Sequence, residues 1–419
     1  MDKIVVKGGI KLSGEVNISC AKNSVLPIIA ASILSGGKCI IDCIPMLEDV
    51  FMLSDILRSI SIDININAKT QQMEIDTSNI NERESSNEFA RKMRASFLIM
   101  GPMLSRFGQF RLSLPGGCNI GTRSIDLHLK GFSALGASIN VGHGYVEVKA
   151  DKLVGDKIYL DFPSVGATEN ILMAAVLAEG ETVIENAAAE PEIVDLANFV
   201  NQMGGNVTGA GSDTIRIKGV ESLKGITYKP IRDRIEAGTF MVAAALTGSK
   251  FKINGINEEH LKPIIAKLTE MGVIIDINGE SLIVDGSGKL NPIDIKTMPY
   301  PGFPTDMQAQ MMALLCHIKG TSVITETVFE NRFNHVAELK RMGANIKIDG
   351  RSAVIEGVEK LTGSEVKATD LRAGASLIMC GLACEGVTEV TDVYHVDRGY
   401  VNIEGKLRGL GADIQRIKI

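Results

Sequence analysis

A single thiol stands inside a glycine-rich loop in the segment Leu114-Pro115-Gly116-Gly117-Cys118-Asn119-Ile120-Gly121-Thr122-Arg123, with a guanidinium five residues on. Glycines free the backbone to fold over a ligand, and the nearby cation favours a thiolate or an anionic substrate, so the segment reads as a lid carrying a reactive cysteine. A lone Gly-Gly-Cys is more often a surface turn. The weight therefore rests on what accompanies it. Charged and small polar residues gather at the starts of six otherwise apolar stretches: Lys22 and Asn23; Arg91, Lys92 and Arg94; Ser164 to Thr168; Arg232, Asp233, Arg234 and Glu236; Thr305 and Asp306; Asp370 and Arg372. A helix N-terminus offers unpaired N–H groups and a partial positive charge, so six of them converging on a cleft would trap an anion such as a phosphate. Taken singly, Asp306 and Asp370 read as helix N-caps. Their recurrence reads as a site.

The elements that must position these groups show in a repeated phrase: Leu or Met, then Gly, then a small residue and a β-branched run. It occurs at Leu135-Gly136-Ala137, Met203-Gly204-Gly205, Met271-Gly272-Val273, Met342-Gly343-Ala344 and Leu410-Gly411-Ala412, with a copy lacking the glycine at Ile60 to Ile66. Copies lie about 70 residues apart, the size of a small α/β unit rather than of a solenoid repeat. Each phrase follows an amphipathic stretch, such as Val194 to Met203 or Val336 to Met342, and precedes an alternating strand such as Asn345 to Asp349. The glycine reads as a helix C-cap. Upstream in each unit a second helix is apolar nearly all round: Ser24 to Leu34, Ala90 to Leu104, Gly166 to Ala178, Ile235 to Leu246, Asp306 to Ile318 and Leu371 to Cys384. Such a helix must be buried on every face, which implies sheets and amphipathic helices wrapped around it. Three units per domain make two similar domains. Met311, Met312 and Met379 read as core.

Composition narrows the function. At 419 residues the chain is long enough for two or three domains, and 45% hydrophobic residues can fill their cores. With 44 basic and 50 acidic residues it has no overall basic field for nucleic acid or an anionic membrane. The seven cysteines form no Cys-x-x-Cys pair and none stands at metal-ligand spacing from a histidine, so a reduced, cytoplasmic protein without a metal is expected. No apolar run has the length of a membrane span, and Met1 to Val16 has no signal-peptide core.

Ala21-Lys22-Asn23, Met93-Arg94-Ala95-Ser96, the Pro115 to Arg123 loop, Asp126-Leu127-His128, Ser164 to Thr168, Glu190 to Asp195, Phe303 to Gln308, Phe329 to Phe333, Asp370-Leu371-Arg372 and Asp397 to Tyr400 together resemble the enolpyruvyl transferases, in particular those acting on UDP-N-acetylglucosamine. The resemblance runs over essentially the whole chain. It implies an inside-out α/β barrel of two similar domains, each of three βαβαββ-type units with buried central helices. Domain I would hold residues 1–21 and 232–419, and domain II residues 22–231 with the Cys118 loop. The substrates would lie between them.

The implied reaction moves the enolpyruvyl group of phosphoenolpyruvate to the 3-hydroxyl of UDP-N-acetylglucosamine with release of phosphate, by addition and elimination through a tetrahedral intermediate, toward peptidoglycan. Asp306 is then the base, Cys118 the acid at the methylene carbon and an aid to product release, and Lys22, Arg123 and Arg398 the phosphoenolpyruvate contacts, supported by Arg94 and Arg372. Asn23 and Asp306 would meet the sugar hydroxyls. Arg123, Leu127, Ser164, Val165 and Gly166 would line the uridine diphosphate pocket, with His128 behind them. Val328 would touch the sugar, Asp370 would join the binding set, and Glu190 would bridge the domains. Cys118 would be alkylated by fosfomycin, and no metal or other cofactor is implied. His143, His260, His317, His335 and His395 read as surface or satisfied histidines. Cys20, Ser24, Val25 and Ser124 depart from the family pattern, the last loosening the loop where proline is usual. Two alternatives remain. One is the sister reaction on shikimate 3-phosphate, disfavoured by Ala21-Lys22-Asn23-Ser24 and Arg91-Lys92-Met93-Arg94, and the other is a silent nucleotide-sugar sensor.

Overall fold

The computed structural model describes residues 2–80, 94–114 and 125–418, and these form two compact units. One holds residues 2–19 and 232–418. The other holds the described residues from 20 to 231.

The first unit is built from three copies of one pattern, a strand parallel to a second strand that continues antiparallel into a two-stranded ribbon. Glu15–Asn17 runs parallel to Lys250–Asn254, which pairs antiparallel with Ser281–Asp285 and through it with Ile274–Asn278. Ile295–Lys296, Gly320–Thr325, Ser352–Gly357 and Asn345–Asp349 repeat this order. The third copy is completed by the start of the chain. Glu365–Lys367 lies parallel to Val387–Thr391, and the ribbon is Asp2–Lys7 paired with Asp413–Lys418. In the second unit the pattern recurs in Thr227–Tyr228, Lys38–Ile41, Gln72–Asp76 and Asp63–Asn67, and in Lys157–Tyr159, Glu181–Glu185, Thr214–Lys218 and Val207–Thr208. A three-stranded sheet, Gln109–Ser113, Tyr145–Lys149 and Ser138–Gly142, accompanies them.

Inside these sheets stand the apolar helices that the sequence singles out. All eight residues of Gln308–Leu315 are buried, as are Arg234 to Ala245 of Arg234–Thr247 and Arg372 to Leu382 of Leu371–Ala383. In the other unit Lys22–Ala31 and Val165–Ala175 are buried after their first turns, and a 3-10 turn, Arg94–Ile99, leads into Met100–Phe107. The outer helices differ in kind. In Glu258–Met271 only Leu261, Ile264, Leu268 and Met271 are buried, the i, i+3, i+7 spacing of one inward stripe. Each wholly buried Leu, Ile or Met contributes roughly 1.5–3 kcal/mol by leaving water. This is the inside-out α/β arrangement, with helices as core and sheets as wall.

The repeated glycine closes each outer helix. Gly136, Gly204, Gly272, Gly343 and Gly411 all have left-handed φ, between +94° and +111°. Each donates to the carbonyl three residues back while the next residue reaches five back, as in Gly343 N to Lys340 O at 3.0 Å and Ala344 N to Leu339 O at 3.1 Å. The copy without glycine keeps the same geometry. Ser61 sits at φ 68°, with Ser61 N bonded to Arg58 O and Ile62 N to Leu57 O. A side chain in that region costs about 1–2 kcal/mol, of which glycine's greater freedom in the unfolded chain returns part. Ser61 is exposed and meets no steric demand. Ser61→Gly is therefore expected to raise unfolding stability by about 0.5–1 kcal/mol in a urea titration, and a loss of stability there would contradict the cap assignment.

Candidate active site

In the first unit, three buried helices bring their N-terminal ends together around Asp306. The carboxylate is gripped from two sides: Arg332 Nη2 donates to Oδ1 and Arg372 Nη2 to Oδ2, each at 2.9 Å. Both arginine side chains are nearly wholly buried, at 3% and 4% exposure, while that of Asp306 keeps 26%. The carboxylate is thereby held in one orientation and stays partly open to solvent. Burial works against the Arg372 charge, but Tyr400, Asp306 and Asp233 beside it more than offset this, and it stays cationic. Nε and Nη1 of Arg372 and Nε of Arg332 have no hydrogen-bond partner among the described residues, which leaves donors for a bound anion or water.

Local sequence explains how these groups are aimed. Asp370 caps the Leu371–Ala383 helix by accepting from Arg372 N at 2.8 Å and Ala373 N at 3.0 Å, and so orients the backbone that carries Arg372. Asp233 caps Arg234–Thr247 in the same way. Gln310 donates to the Asp306 carbonyl at 3.0 Å, to Tyr400 Oη at 3.1 Å and to Thr239 Oγ1 at 3.1 Å. Burial raises the Tyr400 phenol, which remains neutral and meets Thr239 Oγ1 at 2.9 Å. On the next loop, buried Glu326 accepts from Thr297, Thr305 and the amides of Val328 and Phe329, which fixes the half-buried Val328 against the Asp306 turn. Arg398 follows the short Tyr394–Asp397 helix, and His395 lies within the electrostatic reach of both Arg398 and Asp370.

The second unit carries its own group. Lys22 opens the Lys22–Ala31 helix with its ammonium 3.2 Å from the buried carboxylate of Asp49, and half-buried Asn23 follows. Asp195 locks this end in place: it accepts from Tyr228 Oη at 2.6 Å, from Ile231 N at 3.0 Å and from Ser24 Oγ. Burial raises both Asp195 and Tyr228. Ser164 caps the Val165–Ala175 helix, and Val165 and Gly166 form its first turn. A methyl on Gly166 would stand 3.3 Å from His128 Cε1, so the missing side chain is what lets the imidazole lie over that turn. Asn170 accepts from Gly101 N at 2.7 Å, which makes its nitrogen the donor toward His128 Nδ1 at 3.0 Å. The His128 proton is thereby left on Nε2, beside Gly166. Leu127 and His128 lie half-buried on the helix Asp126–Ala134, and Glu190 is the N-cap residue of Pro191–Gln202.

Cys118 and Arg123, like Arg91 and Lys92, lie outside the described residues, as does the side chain of Arg94. Several sequence expectations change. Asp306 sits on a 3-10 turn, Thr305–Met307, and not on the α-helix itself, with Thr305 Oγ1 donating to Glu326 at 2.9 Å. His335, expected at the surface or satisfied, is wholly buried with both ring nitrogens unpartnered among the described residues; burial and Arg332 push it down to about 4 against the pull of Asp370. His317 is satisfied at Nδ1 by the Ala313 carbonyl, but its Nε2 is buried without a partner among the described residues, near Cys380 and Cys384. The sequence reading also passed over Glu169, a buried acid in the apolar Val165–Ala175 helix. Burial raises it well above the ordinary carboxyl range, and Glu192 and Glu190 raise it further. A charged residue within so apolar a run was the available signal.

Among the described residues no helix is long and apolar enough to cross a membrane. The family model for EPSP synthase (3-phosphoshikimate 1-carboxyvinyltransferase) matches residues 6–407. The chain belongs to this family. Within it, the chain is 71% identical to UDP-N-acetylglucosamine 1-carboxyvinyltransferase 2 of Clostridium tetani and 66% identical to UDP-N-acetylglucosamine 1-carboxyvinyltransferase 1 of Clostridium acetobutylicum, each over the full length of both chains. Among solved structures, the enolpyruvyl transferase NikO from Streptomyces tendae superposes with a TM-score of 0.91 at 25% identity, covering 100% of this chain and 99% of that one. EPSP synthase from Acinetobacter baumannii, at 20% identity and a TM-score of 0.76 over all of both chains, shares the fold.

For this family member the buried acid sets a pH dependence. Burial holds folded Glu169 well above its ordinary value of 4.5, so its contribution is fully present below that pH and is lost as pH rises through the raised folded value. Glu169→Gln, which keeps the neutral shape, is expected to flatten the fall in unfolding stability above about pH 4.5. Denaturation curves at several pH values check this, and identical slopes in both proteins would contradict it.

Proposed function

We propose that this chain transfers the enolpyruvyl group of phosphoenolpyruvate to the 3-hydroxyl of UDP-N-acetylglucosamine and releases phosphate, the committed step toward peptidoglycan. The observation that carries the reading is the full-length likeness to the clostridial 1-carboxyvinyltransferases, which spans both groups of polar helix ends. The sister reaction on shikimate 3-phosphate has no comparable support at Ala21-Lys22-Asn23-Ser24. A silent sensor has no need of an oriented carboxylate between two buried guanidinium groups. The reaction is placed in the cytoplasm, and the free state of Cys20, Cys39, Cys43, Cys316, Cys380 and Cys384 supports that placement.

The chemistry divides among the residues as follows. Asp306 takes the proton of the 3-hydroxyl, whose oxygen bonds to C2 of phosphoenolpyruvate while C3 gains a proton from Cys118, giving the tetrahedral intermediate. Loss of a C3 proton and cleavage of the C2–O bond to phosphate then restore the double bond in the product. Phosphoenolpyruvate carries roughly three negative charges, and Lys22, Arg123 and Arg398, backed by Arg94 and Arg372, supply the cations that hold it. Asn23 and Val328 contact the sugar. Leu127, Ser164, Val165, Gly166 and Arg123 hold the uridine diphosphate with His128 behind them, and Asp370 and Glu190 complete the binding set. Fosfomycin, an electrophile, alkylates the Cys118 thiolate.

Phosphate release in the presence of phosphoenolpyruvate and each acceptor tests the reading directly. Turnover with UDP-N-acetylglucosamine and none with shikimate 3-phosphate is expected; the reverse would reassign the acceptor. Asp306→Ala is expected to lower turnover at least about a hundredfold, since proton transfer in the transition state is worth that much, and near-parent turnover would move the base elsewhere. Cys118→Asp is expected to retain appreciable turnover, because a carboxyl group can also donate the proton, while losing the fosfomycin adduct in a mass spectrum. An undiminished adduct would contradict the assignment of Cys118.

A further inference from the structure

The far ends of two buried helices hold three donor groups that the transfer reaction does not use. His317 follows Gln308–Leu315, Cys380 lies in the last turn of Leu371–Ala383, and Cys384 caps that helix. One ligand atom from each of the three lies within 4.8 Å of the others, and the two sulfurs are 3.9 Å apart. Two thiolates bound to one zinc at about 2.3 Å each stand about 3.8 Å apart in tetrahedral geometry, so the sulfurs already have the separation that a shared ion sets. The imidazole is prepared as well. His317 Nδ1 lies 3.1 Å from the carbonyl of Ala313, which holds the ring proton there and leaves the Nε2 lone pair free. That Nε2 is buried and has no hydrogen-bond partner among the described residues. Metal-bound histidines commonly donate their other N–H to a backbone carbonyl in this way.

We propose that His317, Cys380 and Cys384 form a binding site for a thiophilic divalent cation of the zinc class, with water in the fourth position. Binding releases the two thiol protons to solvent and forms two Zn–S bonds and one Zn–N bond. The charges of one Zn²⁺ and two thiolates then cancel. This balance favours a divalent over a monovalent ion, because Cys380 and Cys384 are 0% and 1% exposed and an uncompensated thiolate there is costly. Half-buried His317 provides the entry side. The ion would fasten together the C-terminal ends of the two helices whose opposite ends position Asp306 and Arg372. It takes no part in the transfer itself.

The test uses full-length protein carrying Cys118→Ser, which removes the competing loop thiol, stripped with a chelator, equilibrated with zinc and desalted. About one zinc per chain by elemental analysis is expected, and cobalt in its place should give sulfur-to-metal charge-transfer bands with the visible absorption of a tetrahedral ion. His317→Gln and Cys384→Ser should each weaken zinc binding at least about tenfold and abolish the rise in melting temperature that zinc produces. His317 is only half-buried, so His317→Gln decides the matter alone if the cysteine variant does not fold. Zinc lost on desalting, zinc retained equally by the variants, or a cobalt spectrum without sulfur bands would each overturn the site.

Discussion

A helix that is apolar on every side can offer polar groups only at its ends, and this constraint orders the rest of the molecule. Gln308–Leu315 has no solvent face at all. The groups that can bind or react are therefore displaced to the turn before it, where Asp306 is met by Arg332 and Arg372 from neighbouring elements. Two buried cations facing one carboxylate form an arrangement that is costly to break, since removing either partner strands a charge out of water. The same constraint makes the site rigid. The backbone around it is already fixed by the caps Asp233 and Asp370 and by the Gln310, Tyr400 and Thr239 cluster, so the charged groups arrive oriented rather than searching for position.

Buried carboxylates also pin the chain where it passes from one unit to the other. In the first unit Glu236, raised by burial, receives Lys406 at 2.6 Å and the amide of Ser19 at 2.7 Å. In the second, Asp195 receives Ser24, Tyr228 and Ile231. Each acid ties the first turn of a central helix to a backbone segment beside it, and in the second unit that turn carries Lys22 and Asn23. A substitution at Asp195 would loosen the helix end that carries Lys22 and Asn23.

Much of the architecture was legible in the sequence because its signals are local. The glycine phrase marks a helix C-cap whose left-handed backbone needs that residue, and even the degenerate copy at Ser61 keeps the conformation. The strand expected at Asn345 to Asp349 forms with those limits, and Ile235 to Leu246 and Leu371 to Cys384 form buried helices to within one residue at each end, whereas Ala90 to Leu104 begins outside the described residues and its α-helix is Met100–Phe107. Asp306, Asp370 and Arg372 were legible as polar residues opening apolar helices. What the sequence hides is pairing between distant segments. Nothing local announces that Arg332 will share Asp306 with Arg372, that Glu326 will gather a loop, or that His317 will meet two cysteines of another helix. Glu169 was overlooked because a single acid in an apolar run looks like noise until its burial beside Glu192 is seen.

Asp306 is the group proposed to meet the acceptor hydroxyl. A crystal structure of the Asp306→Asn protein with UDP-N-acetylglucosamine bound measures this most directly. The account predicts the sugar 3-hydroxyl within about 2.6–3.2 Å of the residue-306 side chain, with Arg332 and Arg372 still flanking it. A sugar bound with that hydroxyl turned toward a different titratable group would contradict it.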